Sequence, residues 1–197
     1  DEALAAARQS AVTAGMPAIE VSAQHGKLLS LLVAATGATR VLEIGTLAGY
    51  STINLARGAG AAGRVITLEY SPEHAEVART NFERAGVADR VEVLVGAALD
   101  TLPLLAERGE QFDFFFIDAD KAGYAGYLET LLDGGLLAPH GLVCVDNTLL
   151  QGEPWAGATG ENGRAIAAFN ETVAADPRVE QVLLPLRDGL TLIRRAD

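Results

Sequence analysis

A chain of 197 residues with 49% apolar residues and 21 glycines is long enough for one sizeable core and too apolar for a disordered protein. Fifteen Lys and Arg against 26 Asp and Glu leave a formal charge of −11, which argues against a nucleic-acid partner, because a phosphate backbone repels an acidic surface. No apolar run reaches the ~20 residues that span a bilayer, and the single Cys144 excludes an intramolecular disulfide or a cysteine zinc site. Asp1-Glu2 stands where a secretory leader would carry positive charge. These features predict one domain over 1–197, with no membrane partner and a cytoplasmic location.

Two helical patterns, Glu2–Ala14 and Glu20–Ala35, open the chain and read as cover helices within 1–36. Strands follow at Arg40–Ile44, Arg64–Leu68, Arg90–Val95, Phe112–Ile117 and Gly141–Val145, each short and rich in Val, Ile, Leu or Phe. Helices alternate with them. The helix Pro72–Ala85 has Ser71 as N-cap, Pro72 at its first position and Gly86 as stop, and Thr101–Arg108, Tyr124–Leu132 and Asn162–Ala175 are further helices. This alternation builds βαβ units around a parallel sheet. Arg178–Leu184 and Leu190–Arg194 are joined by a short turn, so they pair as an antiparallel hairpin. The expected fold class is α/β: a doubly wound, mostly parallel seven-stranded sheet with an antiparallel C-terminal hairpin strand. One long polar, Gly-rich loop, residues 150–163, follows the fifth strand and reads as a substrate-side loop.

Ligands of open α/β sheets bind at the carboxyl ends of the strands. The first strand runs into Glu43-Ile44-Gly45-Thr46-Leu47-Ala48-Gly49-Tyr50-Ser51. Glu43 stands where the dinucleotide fingerprint needs glycine and would repel a pyrophosphate, so the turn suits a cation-bearing ligand; the alternative is an ordinary turn with an exposed glutamate. Glu69 ends the second strand, 24 residues after Gly45, where an acid accepts ribose hydroxyls. A nucleoside that carries a positive group and lacks pyrophosphate, such as S-adenosylmethionine, fits the pair. Small residues Gly96-Ala97-Ala98 after the third strand leave room for an adenine.

The fourth and fifth strands run into Asp118-Ala119-Asp120-Lys121 and Asp146-Asn147. Asp118, Asp146 and Asn147 are oxygen ligands without Cys or His, a set that selects a hard cation, Mg²⁺ first, with Mn²⁺ or Ca²⁺ as alternatives. Two solvated loops are the plainer reading. Lys121 is one of only two lysines, with Lys27; beside a divalent cation like-charge repulsion favours its neutral amine, which makes it a candidate general base. A salt bridge to Asp118 or Asp120 is the competing account. Trp155 in the polar loop either faces a substrate or anchors the loop. Cys144, inside a strand, is expected to be buried and inert.

V-L-E-I-G-T-L-A-G-Y-S-T, L-E-Y-S-P, F-F-I-D-A-D-K-A-G-Y, V-D-N-T-L and the closing L-P-L-R-D-G-L-T-L-I-R-R together resemble the cation-dependent O-methyltransferases of the caffeoyl-CoA and catechol type. The resemblance implies the Rossmann-like fold of S-adenosylmethionine-dependent methyltransferases and a homodimer. It further implies that Glu43, Gly45 and Ser51 hold the methionine end, Glu69 the ribose and Ala98 the adenine, with Val21 and Thr46 further cofactor contacts. Asp118, Asp146 and Asn147 match metal ligands, and Asp118 also faces the cofactor. Lys121 matches the base, with Asp118 counted beside it as catalytic. Asp120 matches a substrate contact. Plant caffeoyl-CoA enzymes carry Trp after D-N-T-L where this chain has Leu150, so Leu150 and Trp155 are expected to shape substrate choice.

The expected reaction is methyl transfer to one hydroxyl of a small aromatic diol of catechol, caffeoyl or polyphenol type. Two alternatives are an NAD(P)-binding oxidoreductase on a related sheet and an inactive binding module of the same fold. Glu43 disfavours the first, and the intact set Glu43, Glu69, Asp118, Lys121, Asp146 and Asn147 disfavours the second.

Overall fold

The structure, a computed structural model, describes residues 1–157 and 160–196; positions 158 and 159 of the expected 150–163 loop lie outside the described residues. Contacts divide the chain into two compact units, residues 1–101 and 102–197.

The first unit holds helices α1 (Glu2–Thr13), α2 (Ala23–Thr36), α3 (Tyr50–Gly58) and α4 (Pro72–Ala85) and strands β1 (Arg40–Ile44), β2 (Arg64–Glu69) and β3 (Val91–Val95). Both pairings are parallel, β1 with β2 and β2 with β3; Glu43 lies opposite Thr67 and Glu69 opposite Val95. The signals at the ends of α4 act as read: the Ser71 hydroxyl accepts from the His74 amide, and Gly86 closes the helix at φ 66°. Helix α2 starts at Ala23, three residues later than its apolar pattern predicts, because Ser22 caps it by accepting from the His25 amide. Helix α3, which falls within the stretch expected as the turn after β1, is only nine residues long and buries Tyr50 through Ala56, the polar Ser51, Thr52 and Asn54 among them. Its entry requires glycine. Gly49 has φ 84°, and a Cβ there would lie 2.4 Å from the Phe82 ring.

Helix α5 (Ala98–Glu107) runs across residue 101 and begins three residues before the expected Thr101. The second unit continues with β4 (Phe112–Ile117), α6 (Tyr124–Asp133), β5 (Leu137–Asp146), α7 (Glu161–Ala175), β6 (Val179–Leu184) and β7 (Leu190–Arg195). Strand β4 is parallel to β5, while β7 is antiparallel to both β5 and β6. Phe112, Phe114, Phe115, Phe116 and Ile117 are buried, each such side chain contributing about 1.5–3 kcal/mol. Strand β5 starts at Leu137 and not at Gly141; its register against β4 shifts between Phe112 and Phe114, an irregularity where Pro139, which has no N–H, is tolerated. Ile117 pairs with Val145, so the chain leaves both strands at one edge, into Asp118 and into Asp146.

These units together form the expected class, a mostly parallel seven-stranded α/β fold with an antiparallel C-terminal hairpin. Among the described residues no helix is long and apolar enough to cross a membrane.

Candidate active site

In the first unit the turn after β1 is held by acids and threonines. Glu69 is 7% exposed, and its Oε2 accepts from the amides of Thr46 at 3.2 Å and Leu47 at 2.8 Å. Its Oε1 accepts from the Ser71 amide at 2.9 Å and lies 3.5 Å from His74 Nδ1. One carboxylate therefore ties the end of β2 to a turn whose backbone is left-handed at Gly45 (φ 99°), Leu47 (φ 50°) and Gly49 (φ 84°). From the other side, Asn81 Nδ2 of α4 donates to the Ala48 carbonyl at 2.9 Å.

Glu43 is fully buried, which excludes the exposed-glutamate reading. Its Oε2 accepts from Thr52 Oγ1 and, at 2.6 Å, from Thr67 Oγ1. Thr67 has one hydroxyl proton and gives it to Glu43, so the 2.6 Å contact between the Thr46 and Thr67 hydroxyls runs from Thr46 as donor. Glu43, Thr46 and Glu69 are thus joined in one network. Ser51 lies in the first turn of α3 and is 8% exposed. Ala98 opens α5. Val21 is buried and bound to α1, its carbonyl accepting from an Arg8 guanidinium nitrogen at 2.9 Å. Tyr70, which follows Glu69, is 79% exposed. The charge of the two acids and this open ring suit a nucleoside that carries a cationic group.

In the second unit Lys121 Nζ lies within hydrogen-bonding distance of four acceptors, Tyr124 Oη at 2.6 Å, Asn147 Oδ1 at 2.7 Å, the Ala119 carbonyl at 3.1 Å and Asp118 Oδ1 at 3.2 Å. Tyr124 in turn donates to the Asp146 carbonyl at 3.0 Å. Asp146 is 4% exposed, and Oδ1 accepts from the Asn147 amide at 2.8 Å. Burial, and next the Asp118 charge, push its carboxyl up to about 7. Asn147 is left-handed, φ 61°, which asparagine tolerates better than most residues.

Among the described residues no group of three His, Cys, Asp or Glu is placed to hold a metal; the set here is two carboxylates and the Asn147 carboxamide. It still fits a hard cation. The Asp118 charge that raises the proton affinity of Asp146 is relieved by positive charge, and Lys121 Nζ already brings a hydrogen-bond donor to Asp118 and Asn147.

Asp120 has both oxygens engaged: Oδ1 accepts from Tyr127 Oη, and Oδ2 from the Gly123 amide at 3.0 Å. It caps the single 3-10 turn Lys121–Gly123 that carries the lysine. Tyr124 and Tyr127, one turn apart on α6, escape sequence reading because they look like an apolar helix face. Leu150 (φ 40°) and Gln151 (φ 53°) are left-handed and donate their amides to the Asp188 carbonyl at 3.3 Å and to its Oδ1 at 2.6 Å. Trp155 is 61% exposed, leaving little ring surface to anchor the loop. Cys144 is buried and free, its thiol pushed up by burial.

Residues 1–196 match the model of the O-methyltransferase family. A catechol O-methyltransferase of Mycobacterium tuberculosis is 59% identical over 152 residues, covering 77% of this chain and 67% of that protein. One from Niastella koreensis is 43% identical over 199 aligned positions, 98% of this chain and 89% of the relative. The crystal structure of an O-methyltransferase from Bacillus cereus in complex with SAH superposes with a TM-score of 0.93 at 42% identity, over 100% of this chain and 91% of that one. The chain belongs to the O-methyltransferase family. It is an enzyme of the transferase class, and the oxidoreductase and inactive-module readings fall.

Proposed function

We propose that this enzyme transfers the methyl group of S-adenosylmethionine to one hydroxyl of an aromatic vicinal diol, with a divalent cation, Mg²⁺ before Mn²⁺ or Ca²⁺. The observation that carries this reading is Lys121 Nζ in contact with Asp118 and Asn147, on the strand ends that also supply the buried Asp146. Its support from relatives is a catechol O-methyltransferase name and a SAH-bound structure.

In this reading Glu43, Gly45, Thr46 and Ser51 hold the methionine end, Glu69 the ribose and Ala98 the adenine, with Tyr70 offering a ring face and Val21 a further contact. Asp118, Asp146 and Asn147 supply the cation's oxygen donors. When bound, S-adenosylmethionine would supply an electrophilic methyl group, its bond to sulfur giving way to a bond to the diol oxygen with the electron pair left on sulfur, and a cation held by Asp118, Asp146 and Asn147 would supply charge screening for that oxygen. Lys121 Nζ accepts the proton of the reacting hydroxyl: the O–H bond breaks, an N–H bond forms, and the freed lone pair becomes the nucleophile. Asp118 orients the amine through its hydrogen bond. Asp120, Leu150 and Trp155 are the residues we assign to the substrate side. The chain acts as one methyltransferase domain, and a homodimer in the cytoplasm completes the proposal; the free, buried Cys144 agrees with a reducing compartment.

A methylation assay with Mg²⁺ across catechol, caffeate and a monophenol tests it. Catechol and caffeate are methylated and the monophenol is not, and a chelator stops turnover. Equal rates on the monophenol overturn the diol assignment; full activity in chelator overturns the cation.

A further inference from the structure

Lys121 Nζ faces four acceptors, and two of them, Asp118 Oδ1 and Asn147 Oδ1, belong to the donor set assigned to a cation. The two that remain are the Tyr124 hydroxyl at 2.6 Å and the Ala119 carbonyl at 3.1 Å. Both lie outside that donor set, so they hold Nζ without drawing on the Asp118 and Asn147 oxygens.

Of the two, Tyr124 is the better anchored. Its only hydroxyl proton goes to the Asp146 carbonyl at 3.0 Å, which leaves its oxygen lone pairs to accept from Nζ. Its ring is 0% exposed and packs edge-on against Phe169, centroids 5.6 Å apart at 79°. One turn further along α6, Tyr127 holds Asp120, whose other oxygen closes the turn beneath Lys121 through the Gly123 amide. A Cβ on Gly123 would lie 2.4 Å from the Tyr127 ring, so turn and tyrosine are packed as one unit.

We propose that Tyr124 is a positioning residue that holds the Lys121 amine for proton transfer independently of the cation's donor oxygens, while Tyr127, through Asp120, holds the turn that carries it. This rests on Lys121 being the proton acceptor.

The test is Tyr124→Phe in the full chain, which keeps the buried ring and removes only the hydroxyl. The kcat on catechol falls ~10- to 100-fold while KM for catechol and for S-adenosylmethionine stays within ~2-fold. A second readout needs no turnover. Lys27 is exposed and is the only other lysine, so it serves as internal standard for acylation by an N-hydroxysuccinimide ester in metal-free protein. The Lys121 to Lys27 labelling ratio, read by peptide mass spectrometry, rises ~3- to 10-fold as the amine loses its anchor. Mg²⁺ affinity by calorimetry is unchanged. A kcat within twofold of the parent, an unchanged labelling ratio, or a fall in Mg²⁺ affinity that matches the fall in kcat overturns the proposal. Should Tyr124→Phe fail to fold, Tyr127→Phe is judged by the same ratio and the same kcat-against-KM split. Lys121→Met separates the two levels: its full activity overturns the base assignment and this proposal with it, whereas an inactive Lys121→Met beside a fully active Tyr124→Phe overturns the positioning role alone.

Discussion

The carboxylate of Glu69, at the end of β2, accepts a hydrogen bond from the Leu47 amide at 2.8 Å, and Leu47 is held in the left-handed region at φ 50°. A non-glycine residue there is strained unless its surroundings over-determine it; Glu69 supplies that constraint with a second bond to the Thr46 amide. In Glu69→Gln one oxygen becomes an NH₂ group that confronts backbone donors. Affinity for S-adenosylhomocysteine weakens ~10-fold or more, and the melting temperature falls by a few degrees. Calorimetry and thermal unfolding check both; a melting shift with unchanged affinity assigns Glu69 to the turn alone.

Glu43 has a different weight. Its fully buried carboxylate receives the Thr52 and Thr67 hydroxyls, and Glu43→Ala leaves both without that acceptor in the core. The cost is about 2–4 kcal/mol of stability, against less for Glu43→Gln, which keeps an acceptor oxygen. Urea unfolding of the two variants measures the difference.

If the proposed cation site is right, the Asp146 carboxyl, raised to about 7 by burial and Asp118, makes cation uptake there depend on pH. Above about 7 the carboxylate is ionised and ready to ligate; below it a proton competes. Apparent Mg²⁺ affinity therefore falls by up to ~10-fold per pH unit below that value. Calorimetry in buffers of different ionisation enthalpy detects the proton released on binding at pH 6 and its loss at pH 8. The metal-free protein shows the matching stability trend. The raised group binds a proton in the folded state that the unfolded state has already released, so stability falls as pH rises from about 4 toward about 7, then levels.

Gly123→Ala places a methyl group 2.4 Å from the Tyr127 ring. The ring shifts, its bond to Asp120 lengthens, and kcat falls together with a loss of about 1–3 kcal/mol in stability. Tyr127→Phe in the same background removes the hydroxyl contact at 2.5 Å but leaves the ring carbons at 2.4 and 2.7 Å and still lacks the bond to Asp120, so it does not restore kcat, which a kinetic comparison of single and double variants establishes.

Cys144, with its thiol pushed up by burial, resists iodoacetamide in the native protein and reacts only on unfolding. Intact mass after native labelling reads this directly; modification of the folded enzyme contradicts its placement in β5.

Much of the site was legible along the chain because strand ends are local features. Glu43, Glu69, Asp118 and Asp146 each follow a short β-branched or aromatic run, and within each unit parallel pairing carries residues at equivalent ends together: Ile117 beside Val145 brings out Asp118 and Asp146. The caps of α4 were equally readable, since Ser71, Pro72 and Gly86 act within one helical turn. Helix α3 was not, because its nine residues follow Gly49 directly and include Ser51, Thr52 and Asn54, which read as a continuation of the turn.

Tertiary structure alone decided what those acids do. Glu43 and Glu69 look alike in the sequence, one acid per strand end, yet one is fully buried under threonine hydroxyls while the other gathers backbone amides of a strained turn. Tyr124 and Tyr127 show the same limit. Their spacing marks only a helix face, and their link to Lys121 exists because β5 presents the Asp146 carbonyl to one hydroxyl and Asp120 turns back to the other. Composition and period determine which residues are buried and where strands end; hydrogen-bond partners distant in the chain are set by packing, which no local pattern encodes.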